Sequence, residues 1–572
     1  MTVVIVGSAV RVPGAGSPSE MWDLLANGHD VSSETPLSRY DAKSIHSARV
    51  RPGHVVSERG YYLDDVAGFD SEFFGIESGA ADLMDPQQRI MLELVWEALE
   101  DAGIRPETLR GSRTGVFVGS AHTDYWDLIV RDGLDSVPGG AVANVRSLLS
   151  GLISYHFDFR GPALTLDTAC SSSLVGMHLA RRSLLSGDAD VCVVGGVNLK
   201  LHGDLDVVLS QIPALSTDGK CRFGDAHAGG FVSADGAGVV VLRRRDDAVD
   251  TGNRIRAVIR SSVVTNDGAR GGSPMSPSVD AHVEMLEEAL RDSELTADDV
   301  DFIECHGPGA PLIDRMELAA LDTVFGSMAE RGRPLYAGSV KTNFGHAEGA
   351  AGVVGVVKAL QCLEHRSVVP SLHVNQLNPV LDWSSTSVCI PSTTITIGRE
   401  DKPILCGISG QGISSVNAHV LVEEFASDPS GGFDSAPNGI CVLVSARTLP
   451  SLRALVRNYR DRISRIEERR EIIDIAWTSC VGREPMANRV AFIADSAEGI
   501  VGHMDSWLSG EGAAAAVLCD SDTAGDLRTA ATRYCDEGDA ESIRKLIPRG
   551  QIGDLPFYAW DRTYHWKSAV RG

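Results

Sequence analysis

The chain has 572 residues, 43% of them apolar and 23% charged, with a formal net charge of −25 at pH 7. That acidity argues against non-specific binding to nucleic acid or to an anionic membrane. Eleven scattered cysteines without a CxxC pair give neither a disulfide framework nor a zinc site, and they fit a reducing cytosol.

The opening "MTVVIVGSAVRVPG" reads as a buried strand running into a glycine turn. It lacks the basic region and cleavage site of a signal peptide. No apolar run reaches membrane-spanning length, since "GVVGVVKALQCL" is broken by Lys358. The expectation is a cytoplasmic protein with no membrane contact. "DPQQRIMLELVWEALEDAGI" predicts a helix capped by Asp85, with Pro86 at its first position and Gly103 at its stop. "TGVFVGS" (114–120), "ALTLDTA" (163–169), "DVCVVGGV" (190–197) and "GVVVLRR" (238–244) predict buried strands. "VDAHVEMLEEALRDSEL" predicts a further helix. Strands alternating with helices in this way imply a largely parallel sheet covered on both faces.

"SDPSGGFDSAPNG" (427–439) has the composition of a linker, so a first domain is expected over 1–425 with a connecting stretch at 426–439. Residues 440–510 follow a strand–helix–helix–strand–helix pattern. Residues 511–545 show weak periodicity and read as irregular. The tail "DLPFYAWDRTYHW" carries five aromatics in thirteen residues, so within 511–572 it is expected to pack on another part of the protein.

The most informative segment is "LTLDTACSSSLVGMHLARRSLLSG". Here a buried strand ends at Asp167–Thr168 and Cys170 opens a helix. The positive end of a helix and its unpaired N–H groups favour thiolate over thiol, and the thiolate is the nucleophile. A cysteine that does acyl chemistry needs a base or a hydrogen-bond donor nearby. Of 16 histidines, two have a comparable presentation. His306 follows a strand in "DFIECHGPGAPLIDRMEL", and His346 precedes a small-residue helix in "LYAGSVKTNFGHAEGAAGVVGVVKAL".

"DTACSSSLV", "ECHGPGA" and "KTNFGHAEGAAG" resemble the three active-site motifs of β-ketoacyl synthases, specifically the ketosynthase domains of modular type I polyketide synthases. The likeness runs nearly continuously to about residue 425, and residues 440–510 resemble the small α/β linker domain that follows such ketosynthases. The resemblance implies an α/β thiolase fold of five layers built from two similar halves, usually as a homodimer, with the tail wrapping back on the ketosynthase. It implies that Cys170 accepts an acyl chain from a phosphopantetheine thioester on an acyl carrier protein acting in trans. His306 and His346 would decarboxylate a malonyl-type extender, with Lys341 in support; neither a metal nor a bound cofactor is expected. No GHSxG elbow appears, so the sequence reads as a free-standing ketosynthase. "GLDSV" (133–137) mimics the serine site of a carrier, but Pro138 and two glycines follow where a helix would be needed.

Against the family's H-G-T-G-T, this chain has His306-Gly307-Pro308-Gly309-Ala310. The resemblance gives those threonine hydroxyls to the pantetheine arm, and losing one such hydrogen bond costs about 0.5–1.5 kcal/mol. Gln411 stands where the family has a phenylalanine gate. Ile313 and Arg315 flank Asp314 in place of glycine and proline, and the loop "SPMSPS" (273–278) also departs from the family pattern. The substrate-binding candidates are therefore Pro308, Ala310, Gln411 and Asn417. Decarboxylative Claisen condensation is the default reaction. One alternative is cyclisation and release of the bound acyl chain, as proposed for stand-alone ketosynthases of salinosporamide-like pathways. The other is a gatekeeping transacylase.

Overall fold

The computed structural model describes residues 2–133, 139–212, 214–273, 276–400, 402–425, 439–510, 514–520 and 525–567. The expected linker at 426–439 except Gly439, the carrier-like stretch at 133–137 except Gly133, and part of the 273–278 loop lie outside the described residues.

The first half contributes five strands, β1 (Val3–Arg11), β2 (Thr114–Gly119), β3 (Ala163–Leu166), β4 (Val191–Asn198) and β5 (Gly236–Arg244). The second contributes β6 (Ala257–Asn266), β7 (Phe302–Glu304), β8 (Leu335–Gly338), β9 (Leu405–Gln411) and β10 (Val416–Glu424). In space the first set runs β3-β2-β4-β5-β1 and the second β8-β7-β9-β10-β6, which is the same order twice. Strand directions repeat as well. β2 is parallel to β3 and β4, as β7 is to β8 and β9; the remaining pairs within each set of five are antiparallel, and the second half adds an eleventh strand, Val388–Cys389, parallel to β8 at the sheet's end. The halves join through β1 and β6, with Val3 opposite Ile259 and Ile5 opposite Ala257. The sheet is thus mixed, not largely parallel as the alternation of strands and helices implied. Strands β9 and β10 show why: only residues 412–415 separate them, too few for a crossover, so they pair as a hairpin.

Six helices position the site: α1 (Pro86–Asp101), α2 (Ser172–Ser186), α3 (Val279–Asp292), α4 (Pro311–Phe325), α5 (Lys341–Phe344) and α6 (Ala351–Glu364). Helices α2 and α6 lie between the two halves and touch strands of both, while α1 covers the outside of the first half and α3 and α4 that of the second. This gives five layers, α/β/α/β/α. The central helices approach closely because a Cβ at Gly352 of α6 would stand 2.6 Å from Leu174 Cγ. Ser173 Oγ of α2 accepts the Val353 N–H at 3.1 Å across the same contact.

Helix α1 starts as its sequence predicts, with the Asp85 carboxylate accepting the Gln87 N–H at 2.8 Å, and ends before Gly103, which adopts φ +66°. Every residue of α1 is nonetheless buried, because the tail covers its second face. Trp560 Nε1 donates to Glu97 Oε1 at 2.7 Å, and the Tyr558 N–H to Glu100 Oε2 at 2.9 Å. Thr563–Tyr564 pairs with Gly68–Phe69 as a short strand, and Trp560 packs edge-on against Phe73 with ring centroids 4.8 Å apart.

The second, three-stranded sheet comprises β11 (Ile440–Ala446), β12 (Asn488–Ala494) and β13 (Ala516–Cys519), with α7 (Leu449–Ile463), α8 (Arg469–Val481) and α9 (Ala497–Ser509). The segment after 511, expected to be irregular, instead supplies β13 and a helix, α10 (Gly525–Glu537). The apolar face of α10 is Leu527, Ala530, Ala531, Tyr534 and Cys535. Its 3- and 4-residue spacing is helical, but alanines make the pattern faint in the sequence.

Candidate active site

The Cys170 turn follows β3, at its carboxyl end. The helix α2 begins at Ser172 with Ser171 at its cap, so Cys170 precedes the helix instead of opening it. Ala169 takes the left-handed φ of +54°, the sharp bend that turns the sulfur away from the strand. Ser171 Oγ donates to the Thr168 carbonyl at 2.9 Å and holds this bend. Burial of the thiol, reinforced by the Glu348 carboxylate, pushes Cys170 up to about 12; Lys341 and the N–H groups of Cys170 and Ile413 oppose this. Desolvation thus outweighs the helix dipole, opposite in sign to the expectation from sequence. The resting group is a thiol.

His306 lies two residues past β7 in a loop that bends through Gly307 at φ +39° and Gly309 at φ +84°. A Cβ at Gly307 would stand 2.7 Å from the Phe223 ring, so the loop depends on glycine there. Two carboxylates from α4 hold the loop from beneath. Glu317 accepts the N–H groups of His306 and Gly307, each at 2.8 Å, and Asp314 accepts that of Gly309 at 3.1 Å. Burial pushes Glu317 up to about 7. The His306 ring is held well below its usual range by burial, then by Lys341, His346 and His282, so it is neutral.

His346 sits between α5 and α6 and is 2% exposed. Burial and Lys341 depress it to about 3, against Glu348, so it too is neutral. Its Nδ1 accepts the Glu348 N–H at 3.2 Å, which leaves the ring proton on Nε2. The His306 and His346 rings meet edge-to-face, with centroids 5.3 Å apart at 80°. Lys341 opens α5 and is fully buried; burial lowers it while Glu304 and Glu317 raise it. Its charge acts on Cys170, His306 and His346 alike.

The other candidates divide. Pro308 is buried in the His306 loop, and Ala310 caps α4 with no side-chain acceptor. Gly410 and Gly412 lie against the Cys170 turn, where a Cβ at Gly412 would stand 3.0 Å from Ser171 Oγ. Gln411, between them, turns to the opposite face, and its Nε2 meets His282 Nδ1 of α3 at 3.5 Å. Asn417 Nδ2 donates to Asp267 Oδ1 at 2.6 Å, which ties the end of β10 to the end of β6.

Sequence reasoning missed the Ile413 N–H, the carboxylates of Asp314 and Glu317, and His282, whose buried Nε2 has no partner among the described residues. Asp314 and Glu317 had a signal: two acids three residues apart in the first turns of the helix that follows the glycine loop. Among the described residues one trio has metal-ligand chemistry: Asp124, Asp127 and His202. Two of its members are already engaged, Asp124 accepting the Leu201 N–H and His202 Nδ1 that of Asp204.

Known proteins resemble this chain in sequence and fold. Residues 1–248 match the β-ketoacyl synthase N-terminal domain, 256–375 its C-terminal domain, and 443–511 the RhiE-like KS-MAT linker domain. The chain is 38% identical over 523 residues to erythronolide synthase EryA2 of Saccharopolyspora erythraea, covering 90% of this chain and 14% of that protein. It is 38% identical over 506 residues to a mycocerosic acid synthase-like polyketide synthase of Mycolicibacterium smegmatis, covering 86% of this chain and 24% of that protein. It thus spans less than a quarter of the length of either curated relative. Among solved structures, the oxazolomycin ketosynthase domain OzmH KS7 of Streptomyces albus superposes with a TM-score of 0.89 at 33% identity, over 99% of both chains. The ketosynthase from module 6 of the bacillaene synthase of Bacillus subtilis gives 0.84 at 29% identity, over 99% of this chain and all of that one. With its duplicated five-layer fold and matches of this extent, the chain belongs to the β-ketoacyl synthase family, as a ketosynthase of the modular polyketide synthase type.

Proposed function

We propose that this ketosynthase elongates an acyl chain, with Cys170 as acceptor and His306 and His346 as the groups that drive decarboxylation of the extender. The Cys170 sulfur bonds to the acyl carbon as the pantetheine thioester breaks, and the thiol proton leaves with the pantetheine sulfur. A malonyl-type extender on a carrier protein then loses CO2. Its new carbanion attacks the acyl carbonyl, and Cys170 departs. The observation that carries this reading is the pair of neutral, buried imidazoles from separate loops, 5.3 Å apart, beside one buried lysine. Neutral rings donate hydrogen bonds to a developing enolate without first giving up a proton. The N–H groups of Cys170 and Ile413 face the sulfur, where a thioester oxyanion would form.

We infer a second copy of the chain along β3. This strand ends the sheet, and it and the helix before it present Leu164 at 43% exposure and Tyr155 at 77%. An apolar, unpaired edge of this kind invites pairing with its own copy. The test of function is intact-mass spectrometry with an acyl-carrier thioester and malonyl-carrier. An adduct on Cys170 that is lost with release of CO2 and an extended product is expected. Release of a product lighter than the hydrolysed acid by one water, without extender, would overturn elongation in favour of ring closure.

A further inference from the structure

The duplicated strand order sets equivalent loops side by side. In the second half, β7 leads into the His306 loop; its counterpart β2 in the first half leads into Ser120–Thr123, with His122 three residues past the strand end. His122 Nε2 lies 2.5 Å from Glu348 Oε2. Glu348 is itself two residues past His346, 9% exposed, and held in the left-handed region at φ +38°. The peptide after Ala347 (φ −86°, ψ +29°) carries the Glu348 N–H, which donates to His346 Nδ1 at 3.2 Å, so the placement of Glu348 and this hydrogen bond are linked. The other carboxylate oxygen, Oε1, is buried with no partner among the described residues, so His122 provides the hydrogen bond that fixes this side chain. His122 is in turn anchored from α1, with Gln87 Nε2 donating to its carbonyl at 3.1 Å. The two loops are pressed together, since a Cβ at Gly349 would stand 3.1 Å from Ser120 Cα.

We propose that His122 is a positioning residue for His346, acting through Glu348 to keep the His346 proton on Nε2 where it can face the reacting carbonyl. Without His122, the buried carboxylate loses its hydrogen-bonding partner and the left-handed turn loses its tether. His346 Nδ1 then loses its donor, and the ring is free to take the other tautomer. The groups around the pair are Asp124 beside His122, and Lys200, His346 and Cys170 beside Glu348.

The inference rests on the reading that His346 serves extender decarboxylation. The experiment compares wild type, His122→Ala, His122→Gln and Glu348→Gln, each checked for folding by thermal unfolding. CO2 release from malonyl-carrier is followed for kcat and KM, and the His346 tautomer by NMR of protein labelled with 15N-histidine. In His122→Ala, kcat is expected to fall at least tenfold with KM within twofold, and the His346 signal to shift from one tautomer to a mixture. His122→Gln, whose amide can donate to Glu348, is expected to recover activity to within threefold of wild type and to keep the single tautomer. If His122→Ala does not fold, Glu348→Gln takes its place, with the same losses expected. A wild type that releases no CO2 would sink the reading of function, while the tautomer comparison would still decide the positioning role. An active wild type with His122→Ala unchanged in rate and tautomer would overturn the inference, as would a glutamine variant as impaired as alanine.

Discussion

The two halves of the molecule share a strand order but load the same turn with opposite chemistry. In each half, the third strand of the sequence ends in a sharp turn and feeds a central helix. In the first half the turn after β3 carries Cys170 ahead of α2, and its left-handed residue is Ala169. In the second half the turn after β8 carries Lys341 and His346 ahead of α6. The loop after the second strand differs too: the His306 loop rests on two buried carboxylates, whereas the Ser120–Thr123 loop lends its histidine across to the other half. One architecture, used twice, sets Cys170 in one half and the paired rings of His306 and His346 in the other, with the Lys341 charge acting on all three. Neither half holds both.

The first way to break this division is to remove the only nucleophile it assigns. Cys170→Ala is expected to abolish the acyl adduct and to lower condensation by at least about a thousandfold. Intact-mass spectrometry with an acyl thioester checks it, and an adduct surviving on another of the eleven cysteines would undo the assignment. In the other half, His306→Ala and His346→Ala are each expected to lower CO2 release by about 10²–10³-fold. Because the division is spatial, Cys170 acylation should fall far less, within about tenfold. A loss of acylation equal to the loss of decarboxylation would show that the imidazoles serve both steps.

The carboxylates under the His306 loop sharpen the comparison through pH. A carboxyl raised from 4.5 to about 7 by burial is bound more tightly as its protonated form in the folded state. Its contribution is fully present below 4.5 and is lost as pH rises through 7, a gap worth roughly 3 kcal/mol. Asp314, raised by burial and by Glu317, acts with the same sign. Thermal unfolding is therefore expected to show stability falling between pH 5 and pH 8, with Glu317→Gln flattening that slope. A wild type whose stability rises over this window would remove the buried-carboxyl account.

Much of this was legible in the sequence, and what was not has a common cause. The Cys170 turn, the His306 loop, the His346 helix and α1 with its cap are local patterns, each complete within about twenty residues. The direction of the Cys170 shift was not, because it depends on burial in the folded protein and on the Glu348 carboxylate, 178 residues away in sequence. The same holds for Gln411, whose partner His282 is separated by 129 residues, and for Asn417, whose partner Asp267 is separated by 150. Helix α10 was hidden for another reason: two of the five residues on its buried face are alanine, which writes a weak period.

The central layer is where the halves can be disturbed together. Gly352→Ala would place a methyl 2.6 Å from Leu174 Cγ and 2.9 Å from Ser173 Oγ, so α2 and α6 must part slightly. Overpacking of this kind costs about 1–3 kcal/mol. Since α2 follows Cys170 and α6 follows His346, both half-reactions should slow together, in contrast to the separable losses expected for the histidines.

The smallest effect is expected where the His306 loop departs from its family. Ala310 is the cap residue of α4 and has an extended backbone, φ −91° and ψ +126°, but no side-chain oxygen to accept an N–H from the first turn. Ala310→Thr supplies one and, if the pantetheine arm runs past this loop, a hydroxyl for it as well. The two gains separate in measurement. A cap alone raises the unfolding free energy by about 0.5–2 kcal/mol and leaves KM for carrier thioester unchanged. A restored hydrogen bond to the arm lowers KM by about two- to tenfold, the equivalent of about 0.5–1.5 kcal/mol. A threonine that stabilises without touching KM would place the arm elsewhere and make the missing hydroxyl a matter of fold, whereas a lowered KM would make Ala310 a cost this half of the molecule carries in binding its substrate.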